Sequence, residues 1–312
     1  MTPEQTTNAS SLESATAVFL GSRSRLFGIA YRMLGTVAEA EDVVQETWLR
    51  WQTADRSAVL EPVAYLVTVA TRLAINVAQS AHSRRETYIG PWLPEPVDTS
   101  ADPTLGAERG EALELAVLLL LEKLRPAERA AYVLREAFEY THRQIATVLD
   151  MTESNVRQIV TRARKHIADE RKVPARRAEQ ERLLRAFLTA ARQGELAALE
   201  ELLGADAVST SDGGGVVRAA LVPIQGRAKV AKFIASFASH WWVGATITWV
   251  EANGGVAALV SRDGHAYGLV SVDASGAEIG QVMWVLNPAK LASISAATAT
   301  TTETTMGPTA SL

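Results

Sequence analysis

Cysteine is absent from the 312 residues. Disulfides, thiolate metal sites and a thiol nucleophile are thereby excluded. Long apolar runs are missing too. The longest, Leu115–Leu121, falls far short of the ~18–20 residues of a membrane span. Met1–Leu12 is polar, carries Glu4 and shows no basic-then-apolar secretion pattern. The expectation is a cytoplasmic chain. Proline is scarce, 11 residues in all, yet Pro91, Pro94, Pro96 and Pro103 share one stretch. Net charge is small, -4, which at first argues against a polyanionic partner.

The distribution of charge reverses that argument. Residues 1–119 hold 9 Lys and Arg against 15 Asp and Glu; residues 120–177 hold 13 against 8; residues 178–312 hold 9 against 12. Only the middle segment has the footprint of a phosphate binder.

Organisation follows the same division. Residues 13–88 read as helices, because apolar residues recur at spacings of three and four. Gly90–Gly106 is Pro-rich and acidic and reads as a linker or extended docking segment. Residues 108–172 are helical again, and Arg171–Arg177 makes a second joint. Two helices, Arg182–Gln193 and Glu195–Leu203, then precede four β-branched runs: Ala245–Glu251, Val256–Ser261, Tyr267–Val272 and Glu278–Leu286. This pattern predicts an α+β domain with an antiparallel sheet. Ser293–Leu312, rich in Ala, Thr and Ser, is expected to be disordered.

The most informative segment is YTHRQIATVLDMTESNVRQIVTRARKHIA, residues 140–168. Thr141 and Gln144 have capping-box spacing, so a helix starts there. Ile145, Ala146 and Leu149 form its apolar face. Thr152 is a suitable N-cap for a second helix. Val156, Val160, Ala163 and Ile167 give that helix one buried stripe. Its other face is basic. Two short helices with a four-residue break describe a helix-turn-helix. Asn155, Arg157 and Gln158, near the start of the second helix, suit base edges in a major groove. Thr161, Arg162, Arg164 and Lys165 suit the backbone, with the cations pairing phosphates. The bland alternative is a solvated face on an ordinary helical hairpin.

Residues 124–167 also resemble region 4 of the extracytoplasmic-function (ECF) sigma factors of bacterial RNA polymerase. RLFGIAYRMLGTVAEAEDVVQETWLRW (25–51) resembles their regions 2.1–2.2, and residues 62–86 sit where regions 2.3–2.4 belong. GPWLPEPV (90–97), DGGG (212–215) and NPAKL (287–291) resemble signatures of the group with a C-terminal SnoaL-like domain. The resemblance implies a multidomain fold. Two all-α sigma domains, a region 2 bundle (13–88) and a region 4 helix-turn-helix (108–172), flank a linker (89–107). A SnoaL-like α+β cone-shaped barrel (178–292) and the tail (293–312) follow.

The resemblance also implies partners: the clamp helices of the core polymerase's largest subunit, and promoter DNA. On residues 38–51, Ala40, Val43, Val44, Trp48 and Trp51 should be core, leaving Asp42, Gln45, Glu46 and Leu49 for the polymerase. Tyr65, Thr68, Arg72, Asn76 and Gln79, at helical spacings, with Arg84 beyond, would handle the -10 element. That element also involves a loop at about Thr53–Pro62. The helix-turn-helix would read the -35 element. Relatives usually place glycine where Asp150 stands, so the turn either avoids a left-handed residue or uses the tolerance of Asp for one.

For the last domain the resemblance implies regulation in cis. Trp92, Leu93, Pro94, Glu95 and Pro96 would dock near Asp212, Gly213, Gly214 and Gly215, and near Asn287, Pro288, Lys290 and Leu291. A small apolar ligand is a candidate occupant of the cavity. No catalytic residue, metal or cofactor is expected. Asp212, His240, Asp263 and His265 show no interpretable spacing, and His240 is expected to pack against the sheet. Two alternatives stand beside this reading. A one-component regulator with a ligand domain explains residues 108–312 only, and an isomerase- or cyclase-type enzyme explains the last 130 or so.

Overall fold

The computed structural model describes residues 3–100, 113–171 and 173–295, and the side chains among them except those at 3–12, 81–84 and 86. Two compact units result. The first holds residues 3–84, 113 and 120–167; the second holds 85–100, 114–119, 168–171 and 173–295.

The first unit is helical. It contains α1 (Pro3–Leu34), α2 (Val37–Thr53), α3 (Pro62–Glu86, up to residue 84), α5 (Pro126–Glu136), α6 (His142–Leu149) and α7 (Glu153–Glu170, up to residue 167). α2 buries Ala40, Val43, Val44, Thr47 and Trp51 as one stripe, and Trp48 is half-buried beside Phe19. The Trp51 indole donates to the Ala15 carbonyl (3.0 Å), so the apolar ring is buried with its polar atom satisfied. α1–α3 and α5–α7, expected as two domains, share this unit. Arg129 of α5 is buried and donates to the Met33 carbonyl (2.5 Å) and to Glu122 (2.6 Å). Burial lowers its pKa to about 10. Arg32 of α1 lies 5.1 Å from the Phe138 ring.

The second unit is a six-stranded sheet with helices. β1 (Leu203–Asp212), β2 (Ile224–Gln225), β3 (Thr246–Ala252), β4 (Gly255–Arg262), β5 (His265–Ser275) and β6 (Glu278–Val285) take the order β2-β1-β6-β5-β4-β3. The four expected strands are β3–β6. The sheet is mixed, not purely antiparallel, because β1 runs parallel to β6. β1 and β2 carry too little β-branched, alternating sequence to be read as strands.

One face of the sheet packs on α8 (Arg177–Gln193), α9 (Leu196–Leu202), α10 (Arg227–Ser236) and the short α11 (Ala238–Trp241). Phe187, Phe237, Trp241, Trp242 and Trp284 fill that side, with ring centroids of Phe237 and Trp241 at 5.8 and 5.5 Å from Trp284. The other face, with Leu259, Leu269, Met283 and Val285, would be an exposed apolar surface. It is covered instead by Leu93, by Leu115 and Ala116 of α4 (Leu115–Leu121), and by Leu291 and Ile294 of a helix at 288–295. Residues 85–100 and 114–119 therefore fold with the sheet. Residues 293–295, expected to be disordered, are helical, with Ile294 buried. Residues 296–312 lie outside the described residues.

Candidate functional site

Three surfaces gather the side chains singled out in the sequence. The first is the helix-turn-helix. Thr141 Oγ1 accepts from the Gln144 amide (3.2 Å), and Gln144 Oε1 accepts from the Thr141 amide (2.9 Å), closing the capping box that starts α6. Asp150 ends that helix in the left-handed region (φ 55°), so the turn uses Asp's tolerance of that conformation. Thr152 Oγ1 accepts from the Asn155 amide (3.2 Å) and caps α7. Val156, Ile159, Val160, Ala163 and Ile167 are buried, which fixes the helix's rotation.

Asn155, Arg157, Gln158, Thr161, Arg162, Arg164 and Lys165 are consequently all exposed. Three of the arginines are engaged with acids of their own unit. Arg157 pairs with Glu153 (2.5 Å), Arg164 with Glu136 (2.7 Å), and Arg162 lies 3.7 Å from Glu128. Such exposed pairs contribute only ~0–1 kcal/mol, so a phosphate can displace the carboxylates at little cost.

The second surface belongs to α2 and α3. Asp42, Gln45 and Leu49 are exposed and Glu46 is half-buried, with Leu49 at 55% exposure. Glu46 is paired to Arg50 (2.9 Å). On α3, Arg72, Asn76 and Gln79 are exposed, and Thr68 and Tyr65 half-buried. Tyr65 stacks at a tilt on Trp51, 5.6 Å between centroids. The Arg84 side chain lies outside the described ones. Arg72 Nε donates to the Val148 carbonyl (2.9 Å) near the end of α6. One of the expected -10 contacts is thus held against the helix-turn-helix.

The third site is a buried lock inside the second unit. Parallel pairing sets Asp212 beside Val285, so the ends of β1 and β6 emerge together and the DGGG and NPAKL segments meet there. Asp212 is fully buried. Its Oδ1 accepts from the Tyr88 hydroxyl (2.6 Å) and the Gly214 amide (3.0 Å); its Oδ2 accepts from the Leu93 amide (2.8 Å) and Lys290 Nζ (2.7 Å). Lys290 also donates to the Leu93 carbonyl. Its ammonium lies 4.5 Å from the Trp92 ring and 5.1 Å from the Tyr88 ring, while Arg85 covers Trp92 at 3.8 Å. Asn287 Nδ2 donates to the Tyr88 oxygen (3.0 Å).

Burial, with the Asp212 charge beside it, pushes the Tyr88 phenol above its usual pKa. Burial lowers the Lys290 pKa, and the Asp212 carboxylate opposes that shift.

The glycines explain themselves sterically. A Cβ at Gly213 would overlap the Val217 carbonyl, and one at Gly214 (φ +61°) the Asn287 amide. Further along, Asn253 and Val97 exchange hydrogen bonds (2.9 and 3.1 Å), and the Thr99 amide donates to the Glu251 carbonyl (3.3 Å). Leu93, Pro94 and Pro96 are buried, while Glu95 and Trp92 are half-buried. Glu95 accepts from Ser293 (3.2 Å). Leu291 is buried and Pro288 exposed.

The structure therefore brings together the three segments the sequence grouped by resemblance, and adds residues the sequence did not flag. Tyr88 belongs to the lock, and Asn253 and Thr99 hold the segment after it; Arg85, which the sequence grouped with Arg84 beyond the -10 row, covers Trp92 instead. Arg171, in the second joint, pairs with Glu114 and with Asp273 (3.1 Å). The one available signal for Tyr88 was an aromatic residue four positions before Trp92. His240 is exposed rather than packed on the sheet, because α11 turns Trp241 and not His240 inward. Asp263 stands at a left-handed turn (φ 51°), with its carbonyl 2.9 Å from His265 Nδ1.

Comparison with known proteins bears on all three surfaces. Residues 19–85 match the family model described as Sigma-70 region 2, and residues 114–167 the one described as Sigma-70, region 4. The chain is 37% identical over 231 residues to the ECF RNA polymerase sigma factor SigJ of Mycobacterium tuberculosis, covering 71% of this chain and 72% of that one. It is 34% identical over 195 residues to the probable ECF RNA polymerase sigma factor SigI of the same species, covering 61% and 67%. The crystal structure of M. tuberculosis SigJ is similar with a TM-score of 0.72 at 30% identity, covering 89% of this chain and 98% of that one.

Proposed function

The chain belongs to the ECF RNA polymerase sigma factors, and from that premise we propose how its three surfaces divide the work. As a sigma factor it binds core polymerase and directs it to promoters. The α2 face (Asp42, Gln45, Glu46, Leu49) grips the clamp helices of the largest subunit. The α3 row (Tyr65, Thr68, Arg72, Asn76, Gln79, with Arg84 beyond) handles the -10 element. α7 reads the -35 element, with Asn155, Arg157 and Gln158 toward bases and Thr161, Arg162, Arg164 and Lys165 toward the backbone. The observation that carries this reading is the capped helix-turn-helix whose exposed face is the basic one. The chain supplies no catalytic group; the polymerase does the chemistry, in the cytoplasm.

The SnoaL-like unit regulates in cis through the linker. Elements named for positions -35 and -10 lie about 25 base pairs, or ~85 Å, apart on duplex DNA. The α3 and α6 helices are joined by a hydrogen bond, Arg72 to Val148, so reading both elements requires them to separate. Fully extended, the chain between α3 and α5 spans at most about 140 Å. Because residues 88–99 and 115–119 are both held on the sheet, the stretch between them cannot lengthen that reach while the linker is docked. The Asp212–Lys290 lock thus sets the reach between the two DNA-reading segments. The aromatic packing around Trp284 supports control by docking rather than by a small apolar ligand.

A labelled promoter fragment and purified core polymerase test the assignment. The fragment is retained on core only when the protein is added, and Leu49→Asp abolishes retention. Failure of the wild-type protein to bind core defeats the reading.

A further inference from the structure

Five of the exposed large hydrophobic side chains among the described residues lie together in the second unit. Val216 is 77% exposed, Leu221 69%, Val222 68%, Ile89 61% and Val217 36%. Their adjacency is fixed by close approach. A Cβ at Gly215 would fall 3.1 Å from Ile89 Cβ, and one at Gly90 3.8 Å from Leu221 Cδ2. The loop is held rather than loose, since the Val216 and Val217 amides both donate to the Gly213 carbonyl (3.1 and 3.0 Å). Arg218, exposed beside them, has no acidic partner among the described residues. The lock explains why Asp212–Gly215 turns here; it does not explain why the turn then presents valine and leucine to solvent.

We infer that this ridge is a second docking surface for core RNA polymerase, added to the one on α2. The inference rests on the sigma-factor reading above. Three observations select the occupant. First, the ridge follows the region 2 segment closely in the chain: Ile89 stands three residues beyond Glu86, the last residue of α3, and four beyond the region 2 match. That is about 11 Å of chain at most, so the ridge is covalently tethered to the region that the sigma reading brings to polymerase. Second, size excludes a self-sufficient interface. Five partly exposed side chains offer roughly 500 Å², the scale of a functional patch on a monomer and below the ~800 Å² per partner of a stable complex. A contact this small becomes effective when another contact supplies a high local concentration. Third, its chemistry is apolar with a single cation, which fits a protein surface and not a phosphate backbone.

The ridge would make the SnoaL-like unit a component of the holoenzyme. Because Ile89 adjoins Tyr88, seating on polymerase would also bear directly on the lock.

The test uses the full-length protein and purified core polymerase. A Val216→Ser/Leu221→Ser/Val222→Ser variant is expected to bind core at least tenfold more weakly than wild type, with an unchanged melting curve. A photo-crosslinking residue at Val222 is expected to capture a core subunit in the assembled complex. Equal affinities of variant and wild type overturn the inference and leave the sigma reading intact. Crosslinks to a second copy of the chain or to promoter DNA, with none to core, also overturn it. A wild-type protein that fails to bind core overturns both readings together. A melting curve lowered by the serines redirects the affinity comparison to Val222→Ser alone, judged by the same criterion.

Discussion

Replacing Lys290 by Met removes the one cation that, among the described residues, faces the buried Asp212 carboxylate through a direct ion pair. The methionine occupies much of the volume of the lysine stem, so packing is nearly kept. Removing one partner of a buried pair costs about 3–5 kcal/mol. Asp212 keeps three other donors, Tyr88, Leu93 and Gly214, which places the cost near the lower end, about 3 kcal/mol. Such a loss corresponds to a little over a hundredfold in the equilibrium for opening the lock. The Leu93 amide reports that opening directly, because it is buried and donates to Asp212 Oδ2 at 2.8 Å. Hydrogen exchange of peptides covering residues 88–99 in full-length protein is therefore expected to accelerate about a hundredfold in Lys290→Met. Adding Asp212→Asn to that variant removes the stranded charge, so the double variant should exchange more slowly than the single one, with a coupling of about 1–2 kcal/mol. Acceleration under fivefold in Lys290→Met, or a double variant that exchanges faster than either single one, refutes the claim that this pair fastens the linker.

Five further outcomes follow from the same geometry. Tyr88 has its pKa raised in the folded chain, so its contribution is complete below the unfolded value of about 10 and is lost as pH rises beyond that. Tyr88→Phe should accordingly show a smaller loss of stability than wild type between pH 10 and 12, measured by denaturant midpoints. Gly213→Ala drives a Cβ into the Val217 carbonyl and should destabilise the second unit by about 2 kcal/mol or more; a change within 0.5 contradicts the close approach. Arg164→Ala should weaken promoter binding by the holoenzyme about equally across sequences and reduce the salt slope by about 1. Gln158→Ala should instead relax sequence preference in the -35 element, by about 1–3 kcal/mol at one base pair. Truncation after Arg177, which looks like a clean domain cut in the sequence, leaves Leu93, Leu115 and Ala116 without the sheet they cover. The truncated protein is expected to aggregate in light scattering where the point variants do not.

What could be read from the sequence was set by how local its cause is. The helix-turn-helix was legible because a capping box, a four-residue turn and an apolar stripe all act within one or two helical turns. β1 was not legible. Its buried positions include Ser209, Thr210, Ser211 and Asp212, polar residues that look like a surface loop until their partners are known. Ser209 accepts from the Trp284 indole (3.1 Å), 75 residues away, and Asp212 takes donors from residues 88, 93 and 290. Long-range pairing of that kind leaves no periodicity. The same reason hid the fate of the Pro-rich segment. Its composition announced a linker, and the prolines do stiffen it. Burial of Leu93, however, depends on an apolar sheet face made by strands more than 150 residues on. Charge was half legible: the basic face of α7 could be read directly, while Glu128 and Glu136, which neutralise part of it, lie on a different helix.

Run-off transcription tests the central claim most directly. Core polymerase and the full-length protein are incubated with genomic DNA fragments, and the 5′ ends of the transcripts are mapped. The sigma assignment predicts transcripts of defined start, absent with core alone, and lost in both Leu49→Asp and a variant with Arg157, Gln158 and Arg164 replaced by Ala. Transcripts that start at the same positions without the protein, or that survive both variants unchanged, contradict it.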